Sequence, residues 1–269
     1  MSFLHTFTPD PILYSYGFIT VHWYGLFMAL ALLAGFLVSL KIARWHGIKK
    51  EIIQDLFLYL VVGGFVGARV FYILYNPFYF WQYPLNMFKI WEGGIAIHGG
   101  LLFGFLTLMW FTRLRSVNFW QLTSIIVPGL ALGQAVGRWG NYFNQELFGR
   151  PTSLPWGIPI EVARRPAEFA AAEFFQPTFL YESLGNLIIF ITLILAHLYI
   201  LKISKGLNAK NAMAITLGYL AMYSMLRFVM EFMRTDSMLN VFNIRVTQLI
   251  SGVLILLSVF VYLYFFKKK

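Results

Sequence analysis

The chain has 269 residues, of which 59% are apolar, 19% aromatic and only 12% charged, with a formal net charge of +10. Soluble domains run near roughly half apolar and a quarter charged, so this composition, with a mean hydropathy of +0.69, excludes a soluble domain, a disordered chain, a coiled coil and collagen. Cysteine is absent, which rules out disulfides, cysteine–zinc sites and a thiol nucleophile in the protein itself.

A helix needs roughly 20 residues to cross a hydrocarbon core of about 30 Å. Seven apolar stretches meet that length, at about 18–40, 52–75, 93–112, 122–139, 178–201, 212–233 and 246–266. They are too long and continuous for the alternating strands of a barrel. The residues before the first run (Phe3, Phe7, Pro9, Pro11, Tyr14, Tyr16) carry no positive charge, and no small-residue cleavage site follows it. It reads as a retained anchor. The one long non-spanning stretch, about 141–177, is rich in Pro, Gly and charge and reads as a small external subdomain. The fold expected is all-α and polytopic, a single transmembrane catalytic domain over 1–269 with 141–177 as an external segment within it.

Lysine sets the orientation. One set of alternate loops holds Lys41, Lys49, Lys50, Lys202, Lys205, Lys210 and the tail Lys267, Lys268, Lys269, leaving only Lys89 on the other side. The positive-inside rule then puts the N-terminus outside and the C-terminus in the cytoplasm. Arginine does the opposite. Arg44, Arg113 and Arg115 join the lysines, but Arg69, Arg138, Arg150, Arg164, Arg165, Arg227, Arg234 and Arg245 lie toward the outer face. Pairing with outer acids (Glu92, Glu146, Glu161, Glu168, Glu173, Glu231, Asp236) accounts for some, and Arg164 and Arg165 read as loop charges. The remainder suits an anion at that face, because guanidinium forks grip phosphate and carboxylate in bidentate geometry. The net positive charge forms no basic stripe on a soluble face, so no nucleic-acid partner is expected.

Polar groups at membrane depth are costly and carry a functional hypothesis by default. The densest run is Gly137 to Arg150, ending the fourth span with two arginines, two asparagines, a glutamine and a glutamate among glycines. Next is Trp91-Glu92-Gly93-Gly94 through His98-Gly99-Gly100-Leu101. There His98 is either a base near pH 7 or a histidine bonded between helices that pack on the glycines. Third, Tyr223, Arg227 and Glu231 share a helix face at i, i+4, i+8. Arg227 and Glu231 are an intrahelical ion pair or a carboxylate orienting a substrate-binding arginine. His22-Trp23-Tyr24-Gly25, Arg69 and Tyr181-Glu182 add weaker signals. His5, His46 and His197 read as interfacial or loop histidines. HExxH, clustered metal ligands, GxSxG and a P-loop are missing, so neither metal nor cofactor is expected.

Together these motifs resemble the prolipoprotein diacylglyceryl transferase family of the bacterial inner membrane. The resemblance rests on His22 to Leu26, Gly67-Ala68-Arg69, Gly93-Gly94 through Leu101, Gly137 to Arg150, Pro177 to Glu182, and Tyr223 to Arg234. It runs from the first span to the last in matching order. Tyr142 stands where phenylalanine is frequent, and 151–176 matches nothing carried over. The resemblance implies transfer of the diacylglyceryl group of phosphatidylglycerol to the lipobox cysteine of a prolipoprotein signal peptide, forming a thioether and releasing glycerol phosphate. It implies His98 as candidate base, and Arg138 and Arg227 as groups on the departing phosphate. Asn141, Glu146, Gly149, Tyr24, Arg69, Tyr223 and Glu231 complete the phosphatidylglycerol site. The alternative is a membrane transporter of an anionic substrate, which would predict inverted halves and paired broken helices. An intramembrane protease would need a serine or aspartate constellation that the sequence lacks.

Overall fold

A computed structural model describes residues 3–17, 19–90, 93–203, 206–235, 240–241 and 244–267. Phe18, Trp91, Glu92, Lys205, Asp236, Lys268 and Lys269, which enter the sequence reading, lie outside the described residues. The helices in chain order are α1 (Phe3–Thr6), α2 (Trp23–Trp45), α3 (Lys50–Tyr75), α4 (Pro77–Gln82), α5 (Ile97–Leu114), α6 (Phe119–Phe143), α7 (Thr178–Ile203), α8 (Ala209–Met230) and α9 (Val246–Lys267). Among the described residues all but α1 and α4 are long and apolar enough to cross a membrane, seven in all. The protein is an all-α, multi-pass membrane protein.

The first span begins later than its hydropathy suggests. Residues 19–22 are strand β2 (Ile19–His22), paired antiparallel with β1 (Ile12–Tyr16) through a turn at Gly17, whose φ is +58°. Ile and Val are as apolar as helix formers, but with Thr and Tyr they favour a pleated backbone. α6 runs past its expected end and takes in Gly140, Asn141, Tyr142 and Phe143.

The chain divides into two compact units, Met1–Ser39 with Thr123–Lys269, and Leu40–Leu122. In the first, small residues let α2 and α6 approach closely. A Cβ on Gly129 would stand 2.4 Å from the Gly35 carbonyl, and one on Gly133 would stand 3.1 Å from that of Ala31. Hydrogen bonds pin α6 to its neighbours: Ser183 Oγ donates to the Ala135 carbonyl at 2.8 Å and the Tyr219 hydroxyl to Gln134 at 3.1 Å. His197 is not an interfacial or loop histidine. It is fully buried in α7, with Nε2 3.0 Å from the Ser124 carbonyl. Pro128 sits four residues after Ser124 and has no N–H to give, so the imidazole meets a carbonyl that receives no i→i−4 bond from residue 128.

Residues 144–177 fold into a small head. Strands β3 (Ile158–Pro159) and β4 (Phe174–Phe175) pair, and Tyr142, Phe148, Ile158, Ile160, Phe175 and Phe179 form its buried core. α1 docks on it, the His5 ring stacking on Phe174 at 3.9 Å with Nδ1 2.9 Å from the Gly157 carbonyl. In the second unit, α3 and α5 pack through glycine. A Cβ on Gly99 would fall 2.2 Å from the Gly67 carbonyl and one on Gly67 would fall 2.3 Å from Phe103. Two spans stay in contact in lipid only if such close packing replaces the missing hydrophobic drive.

Candidate active site

The polar run that ends α6 is built by a helix terminus. The Glu146 N–H donates to the Asn141 carbonyl and the Gln145 N–H to that of Tyr142, both at 3.0 Å, the paired bonds of a Schellman stop. Such a stop needs a left-handed residue, normally glycine, and here Gln145 takes φ +50°. Its side chain offsets the strain: Nε2 donates to the Pro9 carbonyl and Oε1 accepts the Glu161 N–H, both at 2.8 Å. Leu147 is also left-handed, and its carbonyl accepts the Thr178 hydroxyl. The chain then passes through Gly149 in an antiparallel bridge to Arg234, with the Gly149 N–H on the Gln176 carbonyl at 2.9 Å. A Cβ there would meet Gln176 at 2.9 Å and Thr178 at 3.0 Å, so Gly149 serves close backbone packing.

Four arginines and two buried glutamates converge in this unit. Glu182, on α7, bonds Arg138 from α6 and Arg227 from α8, the latter at 3.2 Å, and has Arg234 at 3.6 Å. Glu231 bonds Arg227 at 3.2 Å and Arg245 at 3.1 Å. The carboxylate side chains of Glu182 and Glu231 are 2% and 0% exposed, whereas Arg138 and Arg227 keep 17% and 15%. A buried charge stays in the fold only if paired, and each carboxylate here has more than one partner. Four guanidiniums against two carboxylates leave a formal excess of two positive charges. Arg138 also donates to Asn141 Oδ1 at 3.3 Å, and the Asn141 amide donates to Glu146 at 2.7 Å. Tyr24, in the first turn of α2, lies on Gly140, where a Cβ would stand 3.0 Å from its ring. Tyr223, one turn before Arg227, stacks on Tyr219 at 5.8 Å.

Donor counting sorts the arginines. A guanidinium has five N–H groups. Among the described residues Arg138 commits donors to Asn141 and Glu182, and Arg227 to Glu182 and Glu231, so each keeps N–H groups for another anion. Arg69 keeps none. Its Nε donates to the Met87 carbonyl, Nη1 to those of Gly93 and Gly94, and Nη2 to those of Asn86 and Lys89. The fork expected to bind phosphatidylglycerol at Arg69 thus meets five backbone carbonyls in this structure.

A family model described as prolipoprotein diacylglyceryl transferase matches residues 11–264. The chain belongs to that family. Among similar proteins is the phosphatidylglycerol–prolipoprotein diacylglyceryl transferase of Trichormus variabilis, 41% identical over 93% of this chain and 87% of its own length. Those of Synechococcus elongatus (42% identical, 94% and 86% covered) and of a Synechocystis species (38%, 97% and 92%) are likewise similar.

Of the transferase residues expected from the sequence, the fold gathers Arg138, Asn141, Glu146, Arg227 and Glu231 into linked contacts, with Tyr24, Gly149 and Tyr223 packed on the same elements. His98 and Arg69 belong to the other unit. His98 is exposed in the first turn of α5, not deep in the span, and has no hydrogen-bond partner among the described residues. The flanking Gly99 is accounted for by packing against α3. The i, i+4 ion pair of Arg227 and Glu231 is made, and Glu231 also holds Arg245. Glu182 is the member that sequence reasoning undervalued. Its signal was a carboxylate in the first turn and a half of an otherwise apolar span, a position that demands cationic partners from elsewhere.

Proposed function

We propose that the protein transfers the diacylglyceryl group of phosphatidylglycerol to the lipobox cysteine thiol of prolipoproteins, the first step of lipoprotein maturation. The observation that carries this reading is the pair Arg138 and Arg227, brought from two helices onto one buried carboxylate with N–H donors to spare. The sulfur attacks the glycerol carbon that bears the phosphate. A C–S bond forms, the C–O electron pair passes to the phosphate oxygen, and the thiol proton leaves. In that step a phosphodiester with one negative charge becomes a phosphate monoester approaching two. The cluster's net positive charge favours the more negative product phosphate over the substrate phosphodiester, which is the condition for stabilising a transition state. Asn141 and Glu231 orient Arg138 and Arg227, and Tyr24, Glu146, Gly149 and Tyr223 shape the site. A cysteine thiol has a pKa of about 8.5, so few substrate molecules are ionised at neutral pH, and His98 is the group we assign to take the proton.

The whole chain, 1–269, serves as one catalytic domain, with 141–177 as its external segment. It sits in the bacterial inner membrane with the N-terminus periplasmic and the C-terminus cytoplasmic, as the lysine asymmetry supports. The arginine cluster then meets lipid of the outer leaflet. Purified protein is to be mixed with phosphatidylglycerol labelled in its diacylated glycerol and a lipobox cysteine peptide. Label on the peptide thiol supports the reading. Lipid or anion flux with an unmodified peptide would favour a transporter instead.

A further inference from the structure

Arg69 is 9% exposed and lies six residues before the end of α3. Its five N–H groups end on five carbonyls, from Asn86, Met87, Lys89, Gly93 and Gly94. Tyr72 and Phe80 cover the guanidinium at 5.6 and 5.5 Å. These carbonyls belong to backbone outside the α-helical ladder, where no regular i→i−4 bonding serves them as a set. Gly93 and Gly94 hold φ of +86° and +76°, and a Cβ on Gly94 would stand 2.7 Å from Arg69 Nη1. The neighbouring Ala68 carbonyl accepts the Ala96 N–H at 2.9 Å. Residues 68 and 69 thus hold the backbone that leads directly into α5, which starts at Ile97 and carries His98 in its first turn. No side chain caps that helix start, as Ala96 occupies the cap position.

We propose that Arg69 is a positioning residue: its guanidinium is the template on which residues 86–90 and 93–96 set, and through them it fixes the α5 terminus that presents His98. The link to His98 rests on the proton-accepting role assigned above; the template itself does not. Lysine keeps the charge but has three donors on one nitrogen and cannot serve five carbonyls spread around a plane.

The chain has no cysteine, so Ile95→Cys, at a site 57% exposed, takes a single spin label. The label is expected to be immobilised in the parent and mobile in Arg69→Lys. Initial rates should show kcat reduced about tenfold or more with KM for phosphatidylglycerol changed by no more than about twofold. Combined with His98→Gln, Arg69→Lys should add less than about twofold, because groups acting as a unit are non-additive. Gly94→Ala leaves Arg69 in place but crowds Nη1, and should reproduce both effects if Arg69→Lys does not fold. An immobile label in folded Arg69→Lys overturns the template. A KM raised about tenfold with kcat retained overturns it in favour of direct phosphate binding. Multiplicative losses in the double variant, with a mobile label, overturn the link to His98. A normal rate for His98→Gln alone removes the assigned base, and the label then decides the template by itself.

Discussion

Arg138 and Arg69 are both arginines close to the end of an apolar helix, yet the fold gives them opposite duties. Arg138 shares a carboxylate with Arg227 and keeps donors uncommitted, while Arg69 is saturated by backbone. A lysine at 138 would preserve charge and lose the fork. Arg138→Lys is therefore expected to insert and fold, and to transfer about 10²–10³-fold more slowly, by analogy with loss of one oxyanion donor worth roughly 3–4 kcal/mol. Arg164→Lys controls for arginine in general. Arg164 lies exposed in the head, paired with Glu161 at 3.5 Å, and its replacement should leave the rate within about twofold, as surface ion pairs contribute little. Initial rates at saturating phosphatidylglycerol, after matching thermal stabilities, make the comparison. At this scale the sequence exposed Arg138, Arg227 and Glu231, because an unusual density of polar groups beside a span is visible locally. It did not expose Glu182, Arg234 and Arg245 as their partners, since an ion pair between α7, α8 and the chain before α9 leaves no mark in spacing. Nor could it separate Arg69 from Arg138, because what distinguishes them is where the donors end.

The helices were legible almost to their ends, since about 20 apolar residues in water-excluding surroundings have no other stable form. The departures have local causes. Residues 19–22 pair as a strand with 12–16, and the Schellman stop at Gln145 carries α6 four residues beyond the expected 139. Glycine tells a similar story. Gly99 and Gly104 look equivalent in sequence, both in the same span, but only one faces a neighbour. A Cβ on Gly99 meets the Gly67 carbonyl at 2.2 Å and Phe71 at 2.6 Å, whereas one on Gly104 meets nothing within 4 Å. Gly99→Ala should force α3 and α5 apart and lower stability by about 1–3 kcal/mol, the usual cost of overpacking. Gly104→Ala should be neutral or gain up to about 1 kcal/mol of helix propensity. Thermal unfolding of the two variants in the same detergent separates them.

For the molecule as a whole, the asymmetry between lysine and arginine ties orientation to chemistry. Under the proposed reading, lysine is distributed as membrane insertion requires, and arginine is gathered on the side where an outer-leaflet anion would be bound. A reporter fused after Lys269 is expected to read cytoplasmic and one inserted near Glu168 periplasmic, by accessibility to a membrane-impermeant reagent. The reverse pattern would separate the arginine cluster from the leaflet it is assigned to serve. The central claim is narrower: the cluster stabilises charge on a phosphate as it leaves carbon. Its most direct test uses phosphatidylglycerol with heavy oxygen at the atom joining phosphorus to the diacylated glycerol. Alkylation of the thiol breaks the bond between that oxygen and carbon, so mass spectrometry should find all the heavy oxygen in released glycerol phosphate and none on the peptide. Heavy oxygen retained with the diacylglycerol, or a peptide that carries phosphorus, would mean that the phosphorus–oxygen bond breaks in place of the carbon–oxygen bond, and would contradict the leaving-group role of Arg138 and Arg227.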